Sequence, residues 1–555
     1  MKIALAQINY RIGDFDFNVS RIIECIGNAR KEKTDLVIFA ELSVCGYPPR
    51  DFLEFDDFID KSIFSVETIA AECKGIAAIV GAPTRNPAPK GKPLYNSAYF
   101  LADGKIQAVV HKTLLPNYDI FDEYRYFEPN RLPCSVISYQ GHRFALTICE
   151  DLWNITDDPL YVRNPMDDLF KLNPDAIINI AASPFHLGQS EQRKEVLVRN
   201  ATRYHLPVFY VNHVGGQTEL LFDGGSMAID QTGKIVAELK SFGEDFQLFD
   251  LIPEQKTILH RTQGAGHPCM TGRQAGSIQL IHSALVMGIR DYFSKMGFNN
   301  AILGLSGGID SAVTLVLAAR ALGADHVRAV LLPSRFSSGH SITDARELAE
   351  NLGVKYDVIP IDEPFGAFEN TLKPYFDGLP FNLAEENIQA RVRAVILMAL
   401  SNKFGYILLN TSNKSEAAVG YGTLYGDMCG GLSILGDVYK TQVYELAALI
   451  NIEKEIIPEN TIVKPPSAEL RPNQKDADSL PDYETLDKIL FAYIEERKGL
   501  DELVQKGFNQ EVVQRVLKLV NTTEYKRYQT PPILRISRKA FGMGRRMPIV
   551  AKYAG

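Results

Sequence analysis

The sequence has little that would tie it to a membrane, to nucleic acid or to an oxidising compartment. No uninterrupted apolar run approaches the roughly 20 residues that span a bilayer. The amino-terminal MKIALAQINYRIGDFD turns polar after eight residues, too early for a signal-peptide core. Basic residues are not in excess: 59 Lys and Arg against 67 Asp and Glu leave a net charge of −8, which gives no footprint for a phosphate backbone. Cysteine is sparse. The seven residues at 25, 45, 73, 134, 149, 269 and 429 include no CxxC pair and no histidine at zinc-finger spacing, so a disulfide framework and a structural zinc site are both disfavoured. Short repeats and low-complexity tracts are absent as well. What remains is a globular chain expected in a reducing, cytoplasmic setting. With 46% hydrophobic residues over 555 positions it can fill two large α/β cores.

The first half alternates short apolar runs with helical stretches. Residues 2–7, 36–40, 76–80, 144–148, 176–180 and 208–211 have strand length and are rich in Val, Ile, Leu and Phe. Ala102-Asp103-Gly104 and Gln231-Thr232-Gly233 signal hairpins. The pattern ends near Leu251, and the following stretch carries two Pro and four Gly with little periodicity. This places a first domain at 1–252, a linker at 253–275 and a second domain at 276–555. The second domain alternates strand and helix: 301–305, a helix from Asp310, 327–332, a helix from Ser341, 356–361, a long helix over 386–404, then 406–409. Consecutive βα units of this kind imply a mostly parallel, doubly wound sheet. Residues 464–481, with four Pro, are expected to form a long mobile loop.

Three reactive side chains of the first half each follow a predicted strand directly: Glu41 after 36–40, Lys112 after 106–111 and Cys149 after 144–148. Ligand clefts form at such strand ends, so the three can converge. A thiol attacks carbonyl carbon as its thiolate; a nearby ammonium favours that form and stabilises the tetrahedral oxyanion, and a carboxylate takes the proton. Spacing alone is equally compatible with a buried structural thiol between two surface charges. It also leaves open a Cys–His pair with His142 or His213.

FAELSVCGYPPRD around Glu41, HKTLLPNYDIFDEYRYFEP around Lys112 and TICEDLW around Cys149 resemble the nitrilase superfamily of carbon-nitrogen hydrolases over roughly residues 1–250. The resemblance implies an αββα sandwich with Cys149 as nucleophile, Glu41 as base, Lys112 as oxyanion stabiliser and Glu123 as an auxiliary carboxylate. Within the glutamine-hydrolysing branch it points to Tyr118, Ser183, Tyr47 and Glu150 as substrate contacts. That branch often has a basic residue six places after Ser183, where this chain has Gln189.

In the second half, the run 301–305 leads into Ser306-Gly307-Gly308-Ile309-Asp310-Ser311 and an apolar helix. Glycines let backbone N–H groups turn inward and the helix start adds partial positive charge, which together make an anion site. No lysine lies in the turn. Asp310 instead sets a carboxylate where phosphates would lie, which calls for a bridging Mg2+. A plain glycine turn is the alternative reading. GLSGGIDSA resembles the loop of ATP pyrophosphatases, which split ATP between its α and β phosphates. LLPSRFSSGHS, EENIQARVR, LNTSNKSE, YGTLYGDMCGGLSILGDVYK, PPSAELRPNQKDADSLPDYE, TEYKR and FGMGRRMPI together resemble the glutamine-dependent NAD synthetase family. This implies a Rossmann-like, adenine nucleotide alpha hydrolase-like fold. ATP would contact Gly304, Leu305, Ser306, Gly307, Gly308, Ile309, Asp310, Ser311 and Thr411. Magnesium would lie at Asp310 and Glu416, and deamido-NAD at Asn387, Arg391, Glu416, Asp427, Lys440 and Lys526. Asn387 and Arg391, four apart on one helix, serve a solvated face equally well. Arg545 and Arg546 fit either a phosphate contact or, slightly better, a solvated basic pair, and Cys429 reads as a packing residue.

The resemblance implies that adenylation of the nicotinate carboxylate makes an acyl donor that ammonia can attack, and that the amidase half supplies this ammonia from glutamine along a shielded channel. Glutamine, ATP and deamido-NAD are then the small-molecule partners. A homo-oligomer is expected by the same resemblance, and neither nucleic acid nor membrane is. The runner-up is a glutamine-fed, ATP-dependent amidating enzyme acting on another carboxylate or carbonyl. A glutamine sensor without turnover is the non-enzymatic alternative.

Overall fold

The computed structural model describes residues 1–252, 257–261, 276–472, 474, 476–478 and 480–553. The chain divides into two compact units, Met1–Ala275 and Gly276–Gly555. Most of the stretch read as linker, 253–256 and 262–275, lies outside the described residues. Within it, however, Thr257–Arg261 is a strand pairing antiparallel with Asp245–Ile252. Five residues between Pro- and Gly-rich flanks are too few to show a period, and pairing with a neighbouring strand decides their conformation.

The first unit is built on two packed sheets. In the seven-stranded sheet the parallel strands Lys2–Gln7, Leu36–Ile38 and Ala77–Arg85 are central, flanked by antiparallel Asp245–Ile252 on one side and the hairpin Leu94–Ala102 with Lys105–His111 on the other. The six-stranded sheet repeats the scheme with His142–Ile148, Ala176–Ala181 and Val208–Asn212 parallel at its centre. Helices Phe15–Lys31 and Asp56–Glu72 cover one sheet, and Pro165–Phe170 and Gln189–Tyr204 the other, giving the αββα sandwich. Its centre strands are mostly apolar because both faces are covered: all six residues of Ala176–Ala181 are buried, Asn179 being the one polar side chain. Helix Phe15–Lys31 turns Ile22, Ile26 and Ala29 inward, a helical stripe. Both hairpins form; Asp103 and Gly104 take φ of 53° and 74°, as a two-residue turn between twisted strands requires.

The topology explains why the strand ends meet. Lys105–His111 is antiparallel to a strand that is itself antiparallel to Ala77–Arg85, so it runs the same way as the central strands. Leu36–Ile38 and Lys105–His111 therefore discharge at one edge of their sheet, and His142–Ile148 and Ala176–Ala181 at one edge of theirs.

The second unit has a five-stranded, wholly parallel sheet in the order Lys355–Val358, Val327–Leu331, Ala301–Gly304, Ile407–Asn410, Leu432–Ser433. Chain order reverses between Ala301–Gly304 and Ile407–Asn410, and such a reversal opens a crevice at the strands' carboxyl ends. A smaller apolar cluster joins helices Lys414–Val419, Tyr483–Ile494 and Gln510–Thr522.

Candidate active sites

In the first unit the Lys112 ammonium is enclosed by two carboxylates. Its Nζ donates to Glu41 Oε1 at 2.6 Å and to both oxygens of Glu123 at 2.8 Å. All three residues are at most 5% exposed. Burial works against the charged lysine, but Glu123 and Glu41 outweigh it and raise Lys112 well above its ordinary value. Burial in turn pushes Glu123 up to about 7, with Lys112 opposing and Glu41 adding to the rise. Tyr47 donates to Glu123 at 3.0 Å and the Ala182 N–H to Glu41 at 2.9 Å. Gly81 lets this corner close, since a Cβ there would lie 2.2 Å from the Leu42 nitrogen.

Cys149 begins the short helical turn Cys149–Leu152 with φ of +42°, a left-handed conformation that a side-chain-bearing residue adopts at a cost. Burial holds its thiol well above the ordinary value; Glu41 adds to this and Lys112 opposes it. The resting group is therefore a protonated thiol within the field of a carboxylate and an ammonium. Tyr118 donates to Glu150 at 3.0 Å, and Gln189 Nε2 to Ser183 Oγ at 3.3 Å. The two histidines are placed differently. His142 opens the strand that Cys149 follows, about 20 Å distant at roughly 3.3 Å per residue. His213 is bonded through Nε2 to the Glu41 backbone carbonyl.

Sequence reasoning missed three residues here. Asp151, two after Cys149, accepts from Thr113 N at 3.0 Å, Leu114 N at 2.8 Å and Ile148 N at 3.1 Å, tying the lysine loop to the cysteine turn. Tyr161 shares Glu150 with Tyr118. Asn96 contacts both carboxylates. Only Asn96 left a trace in the sequence, as a polar residue inside an apolar strand.

In the second unit the crevice is a cavity of about 270 Å³ lined by Gly304, Leu305, Ser306 and Thr411, with Asp427, Arg393 and Glu469 also on its wall. The turn is internally braced: Ser306 N and Oγ meet Ser311 Oγ at 3.2 and 3.1 Å, and Gly308 N donates to Ser306 Oγ at 3.2 Å. Gly307 has φ of +80°, and a Cβ on it would come within 2.3 Å of the Ser341 carbonyl oxygen. Helix Ile309–Leu322 starts there, presenting Asp310 in its first turn.

Asp310 accepts from Asn413 Nδ2 at 2.8 Å and pairs with Lys440, whose Nζ lies 3.7 Å from Glu416. Burial and the neighbouring Asp310 push Glu416 up to about 8. Two partly buried carboxylates sharing one ammonium are short of positive charge. A hard dication with oxygen ligands fits that donor set. No cluster of three His, Cys, Asp or Glu suited to a metal occurs among the described residues, so such an ion would complete its shell with water and phosphate oxygens.

The six residues assigned to deamido-NAD divide into two groups. Glu416 and Lys440 belong with Asp310. The other four gather on the 420–427 loop: Thr423 Oγ1 donates to Asn387 Oδ1 at 2.8 Å and Thr423 N to Asp427 Oδ1 at 2.6 Å. Arg391 Nε donates to Leu424 O at 3.2 Å, and Lys526 Nζ to Gly420 O and Gly422 O at 2.8 Å. Among the described residues of 464–481, Glu469 accepts from Ser338 Oγ at 3.0 Å and Ser341 Oγ at 2.8 Å, and Asp476 from Tyr421 at 3.1 Å and Tyr483 at 2.9 Å. One expectation is corrected. Arg545 is buried, donating to Glu524 at 2.6 Å, while its neighbour Arg546 is exposed.

Residues 2–254 match the carbon-nitrogen hydrolase family and residues 281–530 the NAD synthase family, the two-part class that the sandwich and the switch-point sheet define. Similarity extends along the whole chain: it is 44% identical to the glutamine-dependent NAD(+) synthetase of Acinetobacter baylyi, covering 99% of this chain and 98% of that one. It is 42% identical to the Synechocystis protein of that name, with 99% of each covered. A solved glutamine-dependent NAD+ synthetase from Acinetobacter baumannii, in complex with ADP, is 41% identical and superposes with a TM-score of 0.77 over 99% of this chain and 98% of that one. The chain belongs to the glutamine-dependent NAD(+) synthetase family.

Proposed function

We propose that this enzyme amidates deamido-NAD to NAD in an ATP-dependent reaction, using ammonia that it releases from glutamine. In the first unit the Cys149 thiol loses its proton to Glu41 as sulfur attacks the side-chain amide carbon of glutamine. Lys112 stabilises the oxyanion that forms. Protonation of the leaving nitrogen by Glu41 frees ammonia, and water cleaves the thioester to glutamate. Tyr118, Glu150, Ser183 and Gln189 hold the amino acid, with Tyr47 bracing Glu123.

In the second unit the 304–311 turn and Thr411 hold ATP, and the nicotinate carboxylate oxygen attacks the α phosphorus as pyrophosphate leaves. Ammonia then attacks the acyl carbon, the bond from that carbon to the bridging oxygen breaks, AMP departs with that one carboxylate oxygen, and the nitrogen sheds a proton to leave the amide. Asp310 and Glu416 would hold a magnesium ion, which supplies charge screening for the phosphates when bound. Lys440 holds the same two carboxylates in place. Asn387, Arg391, Asp427 and Lys526 shape the deamido-NAD pocket through the 420–427 loop.

The observation that carries this reading is the presence, on one chain similar to its relatives from end to end, of a buried Glu41–Lys112–Glu123 cluster around Cys149 and a lysine-free anion turn at a switch point. A reducing, cytoplasmic setting is part of the proposal, supported by six unpaired cysteines among the described residues. So is a homo-oligomer, for which light scattering is the measurement. No helix among the described residues is long and apolar enough to cross a membrane. Incubating protein, ATP, magnesium, glutamine and deamido-NAD should yield NAD, AMP, pyrophosphate and glutamate together. Formation of ADP and orthophosphate in their place would refute the adenylation step.

A further inference from the structure

We infer that Asn96 is a positioning residue of the amidase, its side-chain amide fixing Glu41 as the carboxylate that works as base. The inference rests on the roles proposed above for Glu41 and Cys149. Asn96 lies in the strand Leu94–Ala102 and is 1% exposed. Its backbone carbonyl accepts from the Lys112 N–H at 2.8 Å, and its Nδ2 donates to Glu41 Oε1 at 2.7 Å and to Glu123 Oε2 at 3.4 Å. One side chain and its backbone therefore touch all three charged members of the cluster.

The Asn96 Oδ1 is buried without a hydrogen-bond partner among the described residues. Turning the amide over would satisfy nothing and would set a carbonyl oxygen against two carboxylates, so electrostatics fixes its orientation. The donors around the two carboxylates are unequal. Glu41 receives Lys112 at 2.6 Å, Asn96 at 2.7 Å and the Ala182 N–H at 2.9 Å. Glu123 receives Lys112 on both oxygens at 2.8 Å, Tyr47 at 3.0 Å and only the long edge of Asn96. The short bond of the Asn96 amide therefore goes to Glu41, which it holds together with Lys112 and the Ala182 N–H in one position for the Cys149 proton. Other charged or titratable groups that interact with the cluster include Cys149, Glu150, Asp151, Tyr47 and Tyr161.

The test uses the full-length protein with ATP, magnesium and deamido-NAD present, and follows glutamine hydrolysis across pH. Asn96→Ala should lower kcat about 10- to 100-fold, part of the 10²- to 10⁴-fold that a positioned base supplies, with the glutamine KM little changed. The acid limb of the kcat profile should move to higher pH, because a carboxylate that loses a donor holds its proton more tightly. Asn96→Leu keeps the volume without the donors and should lose as much, whereas a packing role predicts that it is tolerated. Should thermal melting show Asn96→Ala unfolded, Asn96→Ser, with one hydroxyl donor, carries the same test and should lie between wild type and the leucine variant. Wild-type kcat with an unmoved acid limb in a folded variant, or a loss confined to KM, overturns the proposal. Cys149→Ala alongside separates this from the underlying reading: glutamine hydrolysis persisting there would overturn the amidase assignment itself.

Discussion

At the scale of single residues, the Lys112 cluster sets a charge imbalance that folding must carry. Two buried carboxylates face one ammonium, and burial raises Glu123 from 4.5 to about 7. A carboxyl raised on folding contributes stability that is fully present below its unfolded value and is lost as pH climbs through the folded value. The window is therefore about pH 4.5 to 7, and Lys112, raised from its ordinary 10.5, stays charged across it. The first unit should lose stability with rising pH in this window, and Glu123→Gln, which cannot ionise, should flatten that slope. Denaturant midpoints measured across pH for both proteins decide it; parallel slopes would remove Glu123 from the account. Glu41, Lys112 and Cys149 were legible in the sequence because each ends an apolar run, and strand ends are a local signal. Asn96 and Asp151 were hidden because their partners lie 55 and 38 residues away, and no period encodes that spacing. Arg545 was misread for the same reason: its partner Glu524 is 21 residues back, and a pair of arginines near a chain end reads as solvated unless the fold supplies a carboxylate.

Among elements, catalytic alignment depends on how loops are joined across strands. The Asp151 carboxylate, 3% exposed and pushed up to about 6 by burial, receives three backbone N–H groups, two beside Lys112 and one beside Cys149. Asp151→Asn would turn an amide N–H toward at least one of those donors. We expect a loss of about 1–3 kcal/mol in the stability of the first unit, the cost of an unmatched buried polar group. Glutamine hydrolysis should fall with it; a variant with wild-type melting and turnover would show that the clamp is dispensable. In the second unit Gly307 has an equivalent part, because φ of +80° and the nearby Ser341 carbonyl exclude a side chain. Gly307→Ala should abolish NAD synthesis from either nitrogen donor, measured as product formation with ammonium and with glutamine. Element order and sheet type were readable from hydrophobic period, since central strands buried on both faces give continuous apolar runs. The strand Thr257–Arg261 was not, because its five residues between Pro- and Gly-rich flanks are too few to show a period.

For the whole molecule, the question is why two chemistries share one chain. Ammonia at neutral pH is mostly protonated and no longer a nucleophile, and an acyl adenylate is exposed to water, so ammonia delivered before it equilibrates with solvent spares both losses. That division of labour separates cleanly by substitution. Cys149→Ala removes the nucleophile and should abolish synthesis from glutamine while synthesis from added ammonium continues, since nothing in the ATP site is altered. Asp310→Ala removes the carboxylate that Asn413 and Lys440 hold at the anion turn, and should abolish synthesis from both donors. The measurement is NAD formed with each donor at saturating ATP. Equal loss with both donors in Cys149→Ala would mean that the thiol is needed beyond ammonia release, and undiminished synthesis in Asp310→Ala would remove that carboxylate from the adenylating chemistry.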